Sequence, residues 1–148
     1  MKQLRTVILG IFLAGFACPA LSEDLAIEVY KSPYCGCCDD WITHLEDNGF
    51  TVTSHTRDDM ADIKARLGVS PELQSCHTGV IDGYFVEGHV PASDIKRMLS
   101  EKPEIKGLTV PGMPAGENVP GMETRPGNAT FDVLAVDEDG VETFTHYE

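Results

Sequence analysis

The chain has 148 residues, of which 42% are apolar and 24% are charged, a composition typical of one folded domain. Its 24 acidic and 11 basic side chains give a formal net charge of −13. Because nucleic acids and anionic membrane surfaces attract basic proteins, this charge argues against both as partners and favours cations.

The N-terminal segment has the pattern of a secretory signal peptide. Basic residues precede an apolar run over residues 7–17, which is shorter than the roughly 20 residues that span a bilayer. Ala20 and Ser22 then provide the small residues of a cleavage site. We therefore expect a signal peptide over residues 1–22 and a mature domain over residues 23–148, exported to the periplasm and free of the membrane. An uncleaved anchor is the alternative.

In the mature chain the hydrophobic pattern predicts alternating strands and helices. Strands are predicted over residues 26–30 and 50–55, each followed by a helix, and an Asp-Gly turn predicts a hairpin over residues 79–87. A helix over residues 92–101 follows, and residues 131–147 predict a closing hairpin. The order β-α-β-α-β-β-α indicates an α/β, thioredoxin-like fold, a mixed sheet flanked by helices with a C-terminal Pro/Gly/Met loop and β-hairpin.

Four of the five cysteines remain after the predicted cleavage. Cys35, Cys37 and Cys38 occupy the turn that opens the first helix, where unpaired N–H groups and the helix dipole favour thiolates. In a thioredoxin-like sheet the loop entering the third strand faces this turn, which would bring Cys76 and His77 beside it. Thiolate and imidazole suit zinc or copper(I). A disulfide that joins Cys76 to Cys37 or Cys38, with a surface histidine, is the alternative.

Residues 107–128 are rich in proline and glycine, and Val-Pro-Gly-Met occurs in them twice. Proline followed by glycine favours a type II turn, which would present Met113 and Met122 in defined directions. Two thioethers favour copper(I), since zinc seldom binds methionine. Packing of both side chains under a loop is the alternative. His89, just before the third helix, is either a further ligand or a local hydrogen-bonding residue.

Four motifs in a fixed order allow comparison with a known family. They are Tyr34-Cys35-Gly36-Cys37-Cys38 with Trp41, Ser75-Cys76-His77-Thr78, Glu87-Gly88-His89-Val90-Pro91, and the two Pro-Gly-Met turns. Together they closely resemble the family of small exported metal-binding proteins that includes the CopG-type copper-resistance proteins. The resemblance implies a thioredoxin-like fold, a periplasmic location and copper handling. Carried over by motif, the implied metal ligands are Cys35, Cys38 and Cys76, followed by Cys37, His77, His89, Met113 and Met122.

The sequence therefore predicts a periplasmic copper(I)-binding protein of copper resistance or homeostasis, whose partners are copper ions and other periplasmic copper-handling proteins. Clustered cysteines with histidine and methionine would hold the copper. A thiol–disulfide oxidoreductase that uses Cys35 and Cys38 is the alternative from another class, and a copper-linked redox activity would combine the two. An inert disulfide-bonded protein and a zinc site are the further alternatives.

Overall fold

The computed structural model describes residues 25–148. The predicted signal peptide, residues 1–22, lies outside this range, as do the first two residues of the predicted mature domain. Within the described residues, seven strands and three α-helices form a mixed α/β fold. No helix in this part of the chain is both long and apolar enough to cross a membrane.

Helices are interspersed among the strands in the first two thirds of the described chain, and only strands follow in the last third. The elements are β1 (Ala26–Lys31), α1 (Gly36–Asp47), β2 (Thr51–Thr56), α2 (Met60–Arg66), β3 (His77–Ile81), β4 (Tyr84–Glu87), α3 (Ala92–Glu101), β5 (Gly107–Thr109), β6 (Phe131–Val136) and β7 (Val141–Tyr147). The first seven confirm the predicted order β-α-β-α-β-β-α. The sequence pattern does not predict β5, because three residues are too few to show alternation.

All seven strands form one sheet in the order β2-β1-β3-β4-β5-β6-β7. β1 pairs with β2 and β4 pairs with β5 in parallel, and the other neighbours are antiparallel. Parallel neighbours need a crossover connection, which α1 and α3 supply. In the register of β1 with β3, Lys31 lies opposite His77. The end of β1, where α1 is about to begin, is therefore beside the start of β3.

Apolar side chains cover both faces of the sheet. The larger cluster joins Trp41 of α1 and Ile95 of α3 to Val86 of β4. A smaller cluster joins Leu73, which precedes β3, to Phe85 of β4. Because successive residues of a strand point to opposite faces, the two clusters lie on opposite sides of the sheet. Helices α1 and α3 thus cover one face, and the segment after α2 covers the other.

The Pro/Gly/Met loop connects β5 to β6 and contacts α1. Gly112 and Gly121 have φ angles of 72° and 74°, as the third position of a type II turn requires. The N–H of Met122 donates to the carbonyl of Val119 at 2.9 Å and closes the second turn. A Cβ added at Gly121 would lie 2.6 Å from the backbone nitrogen of Trp41. The second turn therefore packs directly against the backbone of α1.

Candidate metal centre

The turn after β1 presents three cysteines at the start of α1. Cys35 is the residue that precedes the helix, and Cys37 and Cys38 lie in its first turn. Trp41, one turn further along, is fully buried and donates its Nε1–H to the carbonyl of Val90 at 2.9 Å. This bond fixes the start of α1 against the segment that follows β4.

Cys76 lies immediately before β3, and the antiparallel pairing of β3 with β1 brings it to the cysteine turn. Its Sγ is 3.9 Å from the Sγ of Cys37, which is in turn 3.5 Å from the Sγ of Cys35. The four sulfur atoms of Cys35, Cys37, Cys38 and Cys76 lie within 4.8 Å of one another. The structure thus brings together the cysteines that the sequence predicts to share a pocket.

Two imidazoles adjoin the other side of Cys76. His77 Nδ1 lies 3.2 Å and His89 Nε2 lies 3.4 Å from the Cys76 Sγ. His89 Nδ1 is 2.8 Å from the carbonyl oxygen of Pro120, to which it can donate while Nε2 keeps its lone pair. Metal-binding histidines commonly bond a backbone carbonyl with their other ring nitrogen in this way. His89 therefore faces the pocket, and its hydrogen bond joins it to the second Val-Pro-Gly-Met turn, 31 positions further along the chain.

Both imidazoles are buried, and burial controls their protonation. Burial lowers the pKa of His77 well below its ordinary value, and the neighbouring His89 and Lys64 lower it further. Burial also lowers the pKa of His89. The ring of His77 lies against Trp41 with 4.3 Å between centroids, and its Nε2 has no hydrogen-bond partner among the described residues. Neutral rings with available lone pairs are the form in which histidine binds metals.

The Cys76 thiol is protonated at neutral pH. Burial raises its pKa to about 12, and the neighbouring Cys37 contributes to the rise. The thiolate is the form that binds a metal, so a cation that coordinates Cys76 must displace its proton. Metal uptake at this residue is therefore an exchange of protons for the cation.

Cys35 and Cys38 form a disulfide, whereas Cys37 and Cys76 are free thiols. The alternative in which Cys76 pairs with Cys37 or Cys38 is therefore wrong for this structure. In this oxidised form the predicted ligands Cys35 and Cys38 offer no thiolates, because their sulfur atoms are bonded to each other. Reduction must precede any thiolate coordination by this pair.

The two methionines lie on the loop beside the cluster, in different environments. Met122 follows the turn at Gly121, and its side chain is 9% exposed and packs in the main core. Met113 is 55% exposed and follows Gly112, whose carbonyl accepts a hydrogen bond from Ser75 Oγ. Core packing accounts for the position of Met122 but not for that of Met113.

Sequence reasoning does not identify a buried polar cluster that adjoins the Cys76 segment. Lys64 and Glu87 are 4% and 0% exposed and form an ion pair that also involves Thr78. Lysine and glutamate are almost never fully buried unless they are paired, and the pairing partner is far away in sequence. The only local signal is that Lys64 adjoins the buried Ile63 in α2.

His44, His146 and Tyr34 are among the described residues that lie outside the metal-ligand groups. His44 is half-buried, and its Nε2 accepts the N–H of Ala92 at 3.1 Å. His146 is exposed, with its Nδ1 2.7 Å from a carboxylate oxygen of Asp132. Tyr34, which precedes Cys35, is 92% exposed.

The donor atoms fit a soft cation. Cys76 belongs to both groups of clustered donors, one made of four sulfurs and one completed by His77 and His89. With metal bonds of about 2.3 Å to sulfur and about 2.0 Å to nitrogen, neighbouring ligand atoms lie roughly 3.5–4 Å apart. The observed separations of 3.2, 3.4 and 3.9 Å around Cys76 are close to that spacing. Sulfur and imidazole select zinc or copper over calcium and magnesium, which need oxygen.

Comparison with known proteins identifies relatives of nearly the whole described domain. The solved structure named copper resistance protein copG, form 2, is 49% identical, with 83% of this chain and 98% of that chain covered and a TM-score of 0.77. Form 1 is 50% identical, with 84% and 98% covered and the same TM-score. Residues 73–122 match a family described as a protein of unknown function, DUF411. No curated protein matches. The chain therefore belongs to the family of CopG-type copper resistance proteins.

Proposed function

We propose that this protein binds copper(I) through the cysteine–histidine cluster and acts in copper resistance or homeostasis. The observation that carries the proposal is the position of Cys76 Sγ, which contacts the cysteine turn on one side and two imidazoles on the other. Relatives named copper resistance proteins favour copper over zinc, and metal binding over the thiol–disulfide oxidoreductase alternative.

The number of available ligands depends on the oxidation state of the cluster. In the oxidised form two thiols and two imidazoles are available. Reduction of the Cys35–Cys38 disulfide takes two electrons and two protons from a dithiol or another reductant and yields two further thiols. Because a thiolate can bridge two metal ions, four clustered sulfurs can hold more than one copper ion.

We also propose Met113 and Met122 as supplementary ligands, since thioethers suit copper(I). The exposed Met113 can turn toward an incoming ion without loss of packing. Met122 is buried in the main core, and Cys37 of the cysteine turn packs against the same core.

We infer a periplasmic location and a thioredoxin-like relationship for the domain. The predicted signal peptide over residues 1–22 supports export, and the order of the first seven elements supports the thioredoxin-like relationship. An oxidising compartment favours disulfides such as Cys35–Cys38, so a reductant or early metal loading must keep the other thiols available. The net charge of −13 raises the local concentration of cations, and the soft ligands then select copper.

Copper titration of the reduced protein under anaerobic conditions tests the proposal. We expect at least one copper ion per chain after desalting, and less in the protein that has not been reduced. Cys76→Ser removes the sulfur shared by both ligand groups and should cause a large loss of bound copper. His146→Gln changes an exposed histidine outside these groups and is the matched control, which should bind copper like the wild type.

Two results would contradict the copper proposal. One is less than one copper ion per reduced chain. The other is equal copper binding by the wild type and by a variant with both Cys35→Ser and Cys38→Ser. Turnover of a dithiol substrate by a chain that binds no copper would support the oxidoreductase alternative instead.

A further inference from the structure

A buried polar cluster of Lys64, Thr78 and Glu87 joins α2, β3 and β4. Lys64 Nζ contacts Glu87 Oε1 and donates to Thr78 Oγ1 at 2.9 Å. Thr78 Oγ1 donates in turn to Glu87 Oε2 at 2.6 Å. Because His77 and Thr78 are consecutive strand residues, this cluster and the imidazole of His77 lie on opposite faces of the sheet.

Stability alone does not explain why this ion pair is buried. The cost of removing two charges from water often exceeds their mutual attraction, and replacement of a buried pair by apolar residues of similar volume is often neutral or stabilising. Lys64 and Glu87 are nevertheless among the most buried polar side chains of the described chain. Their contacts with the neighbouring segment indicate a more specific role.

The cluster holds the chain on both sides of the Cys76–His77 pair. Glu87 Oε1 accepts the backbone N–H of Ser75 at 2.6 Å, immediately before Cys76. Thr78, which bonds the other oxygen of the same carboxylate, follows His77 directly. One carboxylate therefore restrains the residue before and the residue after the two predicted ligands.

Further contacts leave the Ser75 segment little freedom. Ser75 Oγ donates to the carbonyl of Gly112. A Cβ added at Gly88 would lie 2.7 Å from the Cβ of Ser75, so the strand end that carries Glu87 packs directly against this segment. His89 lies two residues after Glu87, just beyond the end of β4. The spacing between the Ser75 segment and His89 is therefore fixed by contacts centred on Glu87.

We propose that Glu87, oriented by Lys64 and Thr78, is a positioning residue that holds Cys76 within reach of the two imidazoles before metal binds. This role rests on the proposed copper-binding function. Ligands that are already arranged lose less freedom on binding, so a looser Ser75 segment should weaken copper binding. Changes in groups that orient metal ligands typically lower metal affinity about 10- to 100-fold.

Two double variants separate the positioning contact from the buried charge. Lys64→Met with Glu87→Gln removes both charges but retains a side-chain oxygen that can accept the Ser75 N–H. Lys64→Met with Glu87→Leu removes both charges and also that acceptor. Copper(I) affinity is measured on the reduced full chain by competition with a chromophoric chelator. We expect affinity within about threefold of the wild type for the glutamine variant and about 10- to 100-fold weaker binding for the leucine variant.

A matched control comes from a second buried carboxylate, on α3. Asp94 is 3% exposed, accepts hydrogen bonds from Thr145 and Tyr147, and pairs with Arg97. Asp94→Leu with Arg97→Met removes comparable charges without touching the Ser75 segment. This control should keep wild-type copper affinity even where its unfolding midpoint falls, because lost stability alone does not displace Cys76.

The outcomes distinguish this inference from the proposed function. A wild type that binds no copper overturns the proposed function, and the positioning role with it. If the wild type binds copper and the folded leucine variant binds it with equal affinity, the positioning role alone is overturned. An equal loss of copper affinity in both double variants also overturns it. X-ray absorption should count fewer nitrogen neighbours of copper in the leucine variant. If the leucine variant does not fold, Thr78→Val removes one of the two groups that orient Glu87 and should bind copper about 10-fold more weakly than the wild type. Wild-type affinity in Thr78→Val contradicts the role.

Discussion

Cys76 is the residue on which both groups of donor atoms depend, and it binds a proton tightly. Its thiol has a pKa raised to about 12, chiefly by burial, so at pH 7 the proton must leave when copper binds. Each displaced proton weakens apparent affinity tenfold per unit of falling pH. The two imidazoles contribute little to this dependence near neutral pH, because their pKa values are lowered and both rings are already neutral.

We expect copper(I) affinity to fall at least tenfold from pH 8 to pH 7 and again from pH 7 to pH 6. The measurement is chelator competition on reduced protein, corrected for protonation of the chelator. Cys76→Ser should lower the slope of log affinity against pH by about one, since one proton is no longer displaced. An unchanged slope in that variant would show that Cys76 does not coordinate copper.

His44 illustrates how a histidine near the site can be structural. Its Nε2 accepts the N–H of Ala92, one of the amide groups at the start of α3 that lack a partner within the helix. Burial lowers the pKa of His44 from 6.5, against the opposing effect of nearby carboxylates. Between the folded and unfolded pKa values the unfolded chain binds more protons, so the free energy of unfolding falls as pH falls below about 6.5.

Replacement of His44 by glutamine tests the direction of this pH dependence of stability. Glutamine can still accept the Ala92 N–H but does not titrate, so the metal-free wild type should lose more stability than His44→Gln between pH 7 and pH 5. The difference should stay below about 1 kcal/mol because the ring is half exposed. Urea unfolding at both pH values gives the measurement.

His146 provides a control of opposite sign. A hydrogen bond with Asp132 raises the pKa of His146, so its contribution to stability is present below its ordinary pKa and is lost as pH rises through the folded value. The stability difference between wild type and His146→Gln should therefore grow as pH falls. If the stability difference from the wild type changes in the same direction with pH for His44→Gln and His146→Gln, the opposite pKa shifts assigned to these two histidines are refuted.

At the scale of elements, the loop between β5 and β6 positions the cluster through its second turn. Pro120 supplies the carbonyl that contacts His89, and Gly121 packs against the backbone of Trp41. The first turn has the same sequence and a similar φ at Gly112, but a Cβ at Gly112 would meet nothing within 4 Å. The repeated motif therefore provides a matched pair of glycines in which only one is confined.

Alanine at each of these glycines should have different consequences. Gly112→Ala forces a non-glycine residue to a positive φ and should cost about 1 kcal/mol of unfolding free energy. Gly121→Ala adds a clash with backbone that cannot rotate away and should cost about 3 kcal/mol. Chemical denaturation of both variants measures the costs. Equal costs would mean that the second turn can move off α1 freely.

The fold was predictable where the signal is local. Alternation in β1, the Asp-Gly hairpin of β3 and β4, and the apolar stripe of α3 each depend on neighbouring residues, and the structure has all of these elements. β5 has three residues, and its strand conformation depends on β4 and β6 on either side. Its position therefore depends on contacts between distant parts of the chain, which no local pattern reports.

The sequence predicts which residues cluster in the candidate site better than it predicts which of them are bonded to one another. Strand order alone places Cys76 and His77 beside the cysteine turn. The choice of Cys35–Cys38 as the disulfide depends on Cα atoms 5.5 Å apart across one helical turn, whereas several pairings fit the sequence. The Lys64–Glu87 pair joins residues 23 positions apart, and nothing local to either residue indicates that the other will cancel its charge.

At the scale of the whole molecule, the candidate metal centre joins three separate parts of the chain: the start of α1, the start of β3 and the segment after β4. Only folding brings these donors together, so copper should bind the native state more tightly than the unfolded chain. A ligand present at about 100 times its dissociation constant then stabilises the fold by about 2.7 kcal/mol. For a domain of this size that corresponds to a rise in melting temperature of roughly 10 °C.

We therefore expect copper(I) to raise the thermal midpoint of the reduced protein by roughly 10 °C at that loading, measured by scanning calorimetry. Cys76→Ser separates the assembled site from local binding, because the three neighbouring cysteines at 35–38 can bind copper equally well in the folded and unfolded chain. Its midpoint should rise by no more than a few degrees. Magnesium at the same concentration controls for screening of the net charge of −13, and an equal rise with magnesium would attribute the stabilisation to charge instead of coordination.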